Sequence, residues 1–399
     1  MKQCLICSNQ ISPFMSFGKQ PIANGFLMPD QFDTEYFFDM EIAFCSNCCM
    51  VQLIEQPERT RMFHENYAFY SSSSKHMALH FEKFSQDVIE RYNPSFVIEI
   101  GSNDGITLKH FAKLGIRHLG IEPSINVADM ARKSGVNTTC CFFDDLVADE
   151  ILKIHGQADV ILASNVMAHI QSIHSVMDGV QKLLKPNGVL IFEDPYMGDI
   201  LKNTSYDQIY DEHAFYFSLN SVLYLVRQHG MDIIDAQHQD THGGSMRYTI
   251  AHQGKYVKTQ RVTDGLFKEY VMGMENPFTY DKFRLDVALS RRDFIELLAK
   301  VKLEGGNIVG YAATAKSATI TNFCGLTSDV IDYICDTTPI KQGKFSPGAH
   351  IPIKPYEEFL NNYPTHALLF AWNHTREIME KETGYKGKWI VYVPEVKVL

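Results

Sequence analysis

Apolar and polar positions change their pattern four times along the chain. From Met1 to Ser72 the pattern is short and β-like: "YFFDMEIAFC" mixes aromatic and apolar residues, "PIANGFLMPD" is rich in turn formers, and large apolar residues are too few for an independent core. After the serine run Ser71 to Ser74, "HMALHFEKFSQDVIERY" has helical spacing and leads into the apolar run "FVIEI" and a glycine-bounded turn, "GSNDG". Short β runs then alternate with amphipathic helical stretches: "LGIEPS", "ADMARKSG", "TTCCFFDDL", "ADVILASNV", "IHSVMDGVQKLLKPNG" and "VLIFEDP", with helix-stop signals in "KLLKPNG". Such alternation predicts parallel strands joined by helical crossovers, a doubly wound α/β domain. Around Tyr256 to Leu303 the pattern turns helical and charged. A second α/β unit follows in "NIVGYAATAKSATITNF", "DVIDYICDTTPIKQGKFSPGAHIPI", "HALLFAWN" and "KWIVYVPEV". Three domains are expected, over 1–72, 73–250 and 251–399, the last two Rossmann-like.

Composition narrows the function classes. A length of 399 residues exceeds one compact core, in keeping with two or three domains. A formal net charge of -10 disfavours a general nucleic-acid or anionic-membrane binder, while leaving room for a local basic pocket for phosphates. "MKQCLICSNQ" has no continuous apolar stretch of a secretory leader, and "ADVILASNVMAHI" is too short and polar to span a bilayer. A cytoplasmic protein is expected. In that reducing compartment nine cysteines, an odd count, argue for metal ligation over a disulfide framework.

The cysteines bear this out in their spacing. Cys4-x-x-Cys7 and Cys45-x-x-Cys48 place two thiolate pairs on tight turns, which suits the four-sulfur tetrahedron that Zn2+ accepts. Cys49 is the alternative to Cys48, and the doublet spacing favours Cys48. Four protein sulfurs leave the metal no open position, so its expected role is folding and not catalysis. A nucleic-acid zinc ribbon is disfavoured because no Lys/Arg cluster lies nearby.

A second constellation follows the apolar run "FVIEI". Gly101 and Gly105 bound a turn in which Asn103 and Asp104 face a ligand at a helix N-terminus. The pattern is not the GxGxxG of nicotinamide folds, because Asp104 puts a carboxylate where a pyrophosphate would sit. S-adenosylmethionine carries an ammonium and a sulfonium and no phosphate, so it suits an acidic turn better than NAD does. Glu122, about 20 residues on at the next strand end, is placed for the ribose hydroxyls. Phe142 or Phe143, the latter preferred, offers a face for adenine; Asp144 is an acceptor for its amino group, and Asn165 ends the fourth strand.

Taken together, "CLIC", "CSNCC", "ENYAFYSSSS", "EIGSNDG", "YDQIYDEHAFYFS", "HGGSMRY" and "IKQGKFSPGAHIPI" resemble the sugar 3-C-methyltransferases of deoxysugar biosynthesis. The resemblance covers the whole chain. It implies a zinc-binding N-terminal domain, a central S-adenosylmethionine domain and a C-terminal α/β domain. The reaction it implies is methylation of carbon 3 of a nucleotide-linked 4-keto-6-deoxyhexose, through an enolate. Tyr210, Glu212 and His213 match the family's catalytic motif, and His169 matches a further active-site histidine. "ENYAFYSS" matches a segment that contributes an active-site tyrosine, either Tyr67 or Tyr70.

Chemistry explains why such residue types gather. Carbon 3 becomes nucleophilic only after its proton leaves, so the site needs a base and donors aimed at the enolate oxygen. His213 is the expected base, because imidazole titrates near neutrality; Tyr210 is the expected donor, and Glu212 would orient or polarise its surroundings. Asp207 and Asp211 read as solvated carboxylates, Tyr216 and Phe217 as core. In the C-terminal unit "GYAATAKSATITNF" suggests a pyrophosphate seat with Lys316, to which Lys341 and Lys344 would add positive charge. The competing readings are a nicotinamide-dependent oxidoreductase or epimerase acting on a nucleotide sugar, and a noncatalytic zinc-and-nucleotide scaffold.

Overall fold

The computed structural model describes residues 2–63, 71 and 75–399, the side chains of residues 75 and 76 excepted. In the N-terminal unit, strands Pro13–Pro21, Phe37–Phe44 and Val51–Leu53 form an antiparallel sheet. Its outer edge is completed from far away in sequence: Phe215 pairs with Gln52 and Tyr216 with Val51. The two CxxC pairs lie on matching knuckles. Ser8 donates to the Cys4 carbonyl and Cys49 to that of Cys45, at 2.9 and 2.8 Å, with positive φ at both Ser8 and Cys49.

Tetrahedral zinc–thiolate bonds of about 2.3 Å set the sulfurs about 3.8 Å apart. Cys4 and Cys48 Sγ lie 3.5 Å apart, Cys7 and Cys45 Sγ 3.4 Å, and all four fall within 4.8 Å of one another. The donor set fits zinc, and it contains Cys48 and not Cys49.

The central sheet has the strand order 231–239, 245–252, 184–195, 158–164, 96–100, 117–121, 138–139, and only 245–252 runs antiparallel to its neighbours. The strands Phe96–Ile100 and Ala158–Ser164 lie side by side although two strands, 117–121 and 138–139, separate them in sequence. That reversal is the topological switch point, where an open α/β sheet leaves a crevice at its carboxyl edge. Gly101 and Asn165 sit on its two lips. The chain through "KPNG" is extended from Leu184 and bulges before Val189; the helix stops at Leu183.

Helices Gln260–Val271 and Pro277–Leu303 connect to the second α/β sheet, the longer one capped by Asn276, which accepts from Phe278 N at 3.0 Å. Strand order there is 353–355, 334–336, 308–311, 366–369, 388–391, 397–398, parallel except for the last. Its switch point lies between Ile308–Tyr311 and His366–Leu369. The α/β architecture expected from the sequence is present, and among the described residues no helix is long and apolar enough to cross a membrane.

The small N-terminal sheet depends on its metal. Stripping zinc with a chelator, or Cys45→Ser, should remove one equivalent of zinc by elemental analysis; losing a few kcal/mol of metal-linked folding energy lowers the Tm by roughly 5–10 °C. Activity should fall in step with zinc content, because the Phe215–Tyr216 edge belongs to the same sheet.

Candidate active site

The segment from Ser205 to Ser218 is buried at the meeting point of all three units, with only Tyr210 partly open. His213 is 3 % exposed. Its Nδ1 lies 2.9 Å from the Gln208 carbonyl, which can only accept, so Nδ1 carries the proton and Nε2 the lone pair. The Tyr210 ring packs 4.1 Å from the imidazole and that of His169 5.0 Å, centroid to centroid. Burial holds His213 well below the ordinary histidine range, with nearby His169 adding to the effect, and burial brings His169 down to about 4. Both rings are therefore neutral at pH 7. This corrects the expectation of a base titrating near neutrality: the imidazole is dry, and its proton affinity in the resting protein is low. Tyr210 is pushed the opposite way by burial, then by the charge of Glu212, and stays a hydrogen-bond donor at every physiological pH.

Glu212 accepts from Asn24 Nδ2 at 2.7 Å, and Asp211 accepts from the Ala23 amide at 3.0 Å. Asp211 and Asp207 are not solvated: they are 1 % and 0 % exposed. Burial pushes both carboxyls up, and the Glu212 charge pushes Asp211 further. They were misjudged because hydrogen-bond partners from distant segments cannot be seen locally; Asp207 accepts from Trp372 Nε1 and Tyr392 OH at 2.6 and 2.8 Å. Tyr216 and Phe217 are core, as expected. Tyr67 and Tyr70 lie outside the described residues.

Around the first switch point the turn Gly101–Gly105 has positive φ at Gly101, Asn103 and Gly105. A Cβ at Gly101 would lie 2.3 Å from Val166 Cγ2, so the turn packs directly on the loop that continues to His169. This contact ties the glycine turn to the histidine pair. Asn103 accepts from the Ser71 amide at 3.0 Å. Glu122 accepts from Asn103 N and Ser124 N, at 3.0 and 2.9 Å, one bond to each oxygen. Asp104 and Glu99, both buried, complete an acidic patch under the turn. Burial pushes Glu122 up to about 7 and Glu99 up to about 8. Asn165, at φ 55°, donates its amide to Glu193 O at 2.6 Å on the opposite lip.

One expected adenine contact changes. Phe143 is 4 % exposed and packs in the core, its ring end 3.1 Å from where a Cβ on Gly179 would stand. Neighbours in an extended chain face apart. Phe142 is thus the half-buried one, with the Arg59 guanidinium 4.3 Å above its ring. Asp144 caps helix Asp145–His155 by accepting from Val147 N at 2.9 Å, which occupies one of its oxygens.

At the second switch point Lys316 lies one residue inside helix Ala315–Cys324, capped by Thr314. Its ammonium donates to Asn373 Oδ1 at 3.1 Å and sits 4.8 Å over the Trp372 ring. Lys341 donates to the Ala313 carbonyl at 2.9 Å, in the turn that precedes the Lys316 helix. Burial pulls both below the lysine range, against the pull of Asp207 and Asp336. The "HGG" turn closes on the same place: a Cβ on Gly243 would lie 2.4 Å from the Trp372 ring, and Gln208 Nε2 donates to the His242 carbonyl.

The chain matches three family models in succession: a zinc binding domain over residues 4–63, a methyltransferase domain over 76–236, and a C-methyltransferase C-terminal domain over 240–394. It is 33% identical to C-methyltransferase NovU of Streptomyces niveus across 100% of this chain and 96% of that protein. The chain belongs to the C-methyltransferase family. Part of the chain is also 29% identical to a ubiquinone biosynthesis O-methyltransferase of Colwellia psychrerythraea (strain 34H), over 30% of this chain and 48% of that one. Among solved structures it is similar to magnesium protoporphyrin IX methyltransferase from Synechocystis PCC 6803 with bound SAH, at 14% identity and TM-score 0.35, over 44% of this chain and 83% of that one.

This C-methyltransferase therefore uses S-adenosylmethionine, and the nicotinamide alternative is set aside. The site suits the sulfonium cofactor: the glycine cradle admits close approach, and the carboxyls of Asp104 and Glu122 offer acceptors for an ammonium and ribose hydroxyls, not donors for a pyrophosphate. Sequence reasoning missed Asn24, Gln56, Trp372 and Tyr392. Trp372, just past a parallel strand at a switch point, had a positional signal in "HALLFAWN"; the other three had none.

Two outcomes follow for the cradle. Gly101→Ala combines a forbidden φ with a 2.3 Å contact, so calorimetry should show SAH affinity falling at least about tenfold, with Val166→Ala restoring only part of it. On the expectation that Glu122 receives both ribose hydroxyls, protonation removes the charge and turns one of its two acceptor oxygens into a hydroxyl, so SAH affinity should weaken as pH drops below about 7, by at most about tenfold per unit, and Glu122→Gln should flatten that slope.

Proposed function

We propose that this enzyme methylates carbon 3 of a nucleotide-linked (dTDP or GDP) 4-keto-6-deoxyhexose in branched deoxysugar biosynthesis, in the cytoplasm. The observation that carries the reading is the buried imidazole of His213, neutral, with its tautomer set by the Gln208 carbonyl so that Nε2 alone can take a proton. S-adenosylmethionine, when bound, supplies an electrophilic methyl group. His213 Nε2 removes the proton from carbon 3, and the C–H electron pair moves into the bond toward carbon 4 while the carbonyl pair moves onto oxygen. Tyr210 donates to that oxygen. A neutral base in a dry pocket is weak at rest, yet transfer produces an imidazolium beside an enolate, and opposite charges in low dielectric support each other.

Glu212, held by Asn24, polarises the surroundings of Tyr210, on which its charge acts, and His169 completes the wall. The C-terminal unit takes the nucleotide: the N-terminus of helix Ala315–Cys324, with Lys316 and Lys341 beside it, provides positive charge in a protein otherwise acidic. The NovU relative, a C-methyltransferase by name, supports carbon as the acceptor. The cytoplasmic setting is supported by nine cysteines free of disulfides among the described residues, four of them gathered as thiols for metal.

His213→Asn should reduce turnover by at least about 100-fold, leave SAH affinity unchanged, and abolish solvent deuterium exchange at carbon 3. A panel of dTDP- and GDP-linked 4-keto-6-deoxyhexoses with labelled methyl donor, read by mass spectrometry, supplies the assay. Since the base must be neutral and burial lowers its pKa, the acid limb of kcat/KM should lie below 6.5, the ordinary value for histidine. Full activity in His213→Asn would sink the reading.

A further inference from the structure

Gln56 belongs to no motif, carries no charge and comes from the zinc unit, yet it touches both histidine-bearing segments. Its Nε2 donates to the carbonyls of His169 at 3.2 Å, Asp211 at 3.3 Å and Glu212 at 3.0 Å. A primary amide has two protons, so one serves His169 and the other is shared between the adjacent carbonyls of Asp211 and Glu212. These segments are 42 residues apart in sequence (211 − 169) and have no strand pairing with each other. His169 follows the loop packed on the glycine turn; His213 lies one residue past Glu212.

We infer that Gln56 is a positioning residue: its amide pins the His169 and Asp211–Glu212 backbones to one point, and so fixes the 5.0 Å spacing of the two imidazoles. The inference rests on the reading of His213 as the base. The setting makes Gln56 a rigid anchor. Pro57 biases it toward extended backbone, and it follows strand Val51–Leu53, whose Leu53 amide donates to the Ala214 carbonyl at 2.9 Å. Gln52 on that strand accepts from Leu5 N at 3.0 Å, inside the first CxxC knuckle. A continuous path of hydrogen bonds thus runs from the metal knuckle through the strand to both histidine segments. The closed four-thiol site acts on the chemistry without touching it.

The alternative to positioning is plain structural support, and the two predict different measurements. Gln56→Met keeps length and apolar bulk and removes both donors. Turnover of the dTDP- and GDP-linked 4-keto-6-deoxyhexoses should fall about 10- to 100-fold, as misplacement near a reacting centre does. SAH affinity and zinc content should remain those of the wild type. Loosening the segment admits water to the His213 ring and relieves its burial, so the imidazole pKa should rise; the acid limb of kcat/KM, and the His213 C2–H resonance followed by NMR, should both move to higher pH. Gln56→Glu, the same size but an acceptor facing carbonyls, should lose at least as much turnover at pH 8. Rates are to be normalised to SAH-binding sites, which keeps the comparison on folded enzyme even where a variant lowers Tm. Wild-type turnover and an unmoved pH profile in Gln56→Met, with His213→Asn inactive, would refute the positioning role alone; an active His213→Asn would instead refute the reading beneath it.

Discussion

The structure depends on the burial of one polar segment, residues 205–218, where three units meet. Each buried polar group left without a partner costs about 1–3 kcal/mol, more when charged, so burial of the segment relies on partners from the other units. They supply many, although Ser205 Oγ, Tyr206 OH, Asp207 Oδ1, Asp211 Oδ2 and Tyr216 OH have none among the described residues. The zinc unit gives the Ala23 amide, Asn24 and Gln56; the C-terminal unit gives Trp372, Tyr392 and Thr319, whose hydroxyl donates to the Ile209 carbonyl at 3.0 Å. Within the segment the backbone closes short turns, Gln208 N donating to the Ser205 carbonyl and His213 N to that of Tyr210, and the Gln208 carbonyl accepts from the His213 ring. The relative placement of the units and the protonation state of the imidazole are consequently one problem with one solution.

This constraint explains why a unit too small for its own core is retained in the enzyme. A sheet of three short strands has an open edge, a liability in a free protein. Here the edge is filled by Phe215–Tyr216, and the four cysteines gather at the turn that joins strands Phe37–Phe44 and Val51–Leu53. Zinc is chemically silent, with its shell closed by thiolates, and still conditions the site through the sheet it stabilises.

Legibility in the sequence followed the range of the interactions. The paired cysteines, the glycine turn and the strand–helix alternation are local patterns, and each led to the element observed. The glycine turn was readable because its φ values and its close approach to Val166 require residues without a Cβ. The two aspartates were misread for the complementary reason: Asp207 is matched by residues 165 and 185 positions away, and nothing near it in sequence distinguishes it from a solvated carboxylate. Phe142 and Phe143 were separable only by knowing which face of an extended segment meets helix Ile173–Leu183. Gln56 had no signal, since a backbone-directed amide leaves no pattern.

The two α/β sheets offer the same device twice, and the device determines what lies between them. Each has its switch point at the carboxyl edge of parallel strands. The first opens at Gly101 and Asn165, the second at the 312–314 turn and Trp372. From the first, the chain runs three residues past Val166 to His169, beside His213; at the second, Trp372 holds Asp207, whose neighbour Gln208 fixes the His213 proton. Contacts from both switch points thus lead to one imidazole. A two-substrate reaction with a separate seat for each partner needs such convergence, because holding both reactants at one base replaces the entropy cost of their encounter with the geometry of the fold. On the proposed reading the acidic crevice receives the cationic methyl donor and the lysine-bearing crevice the nucleotide diphosphate, so that opposite charges sort the two ligands before the ketone meets His213.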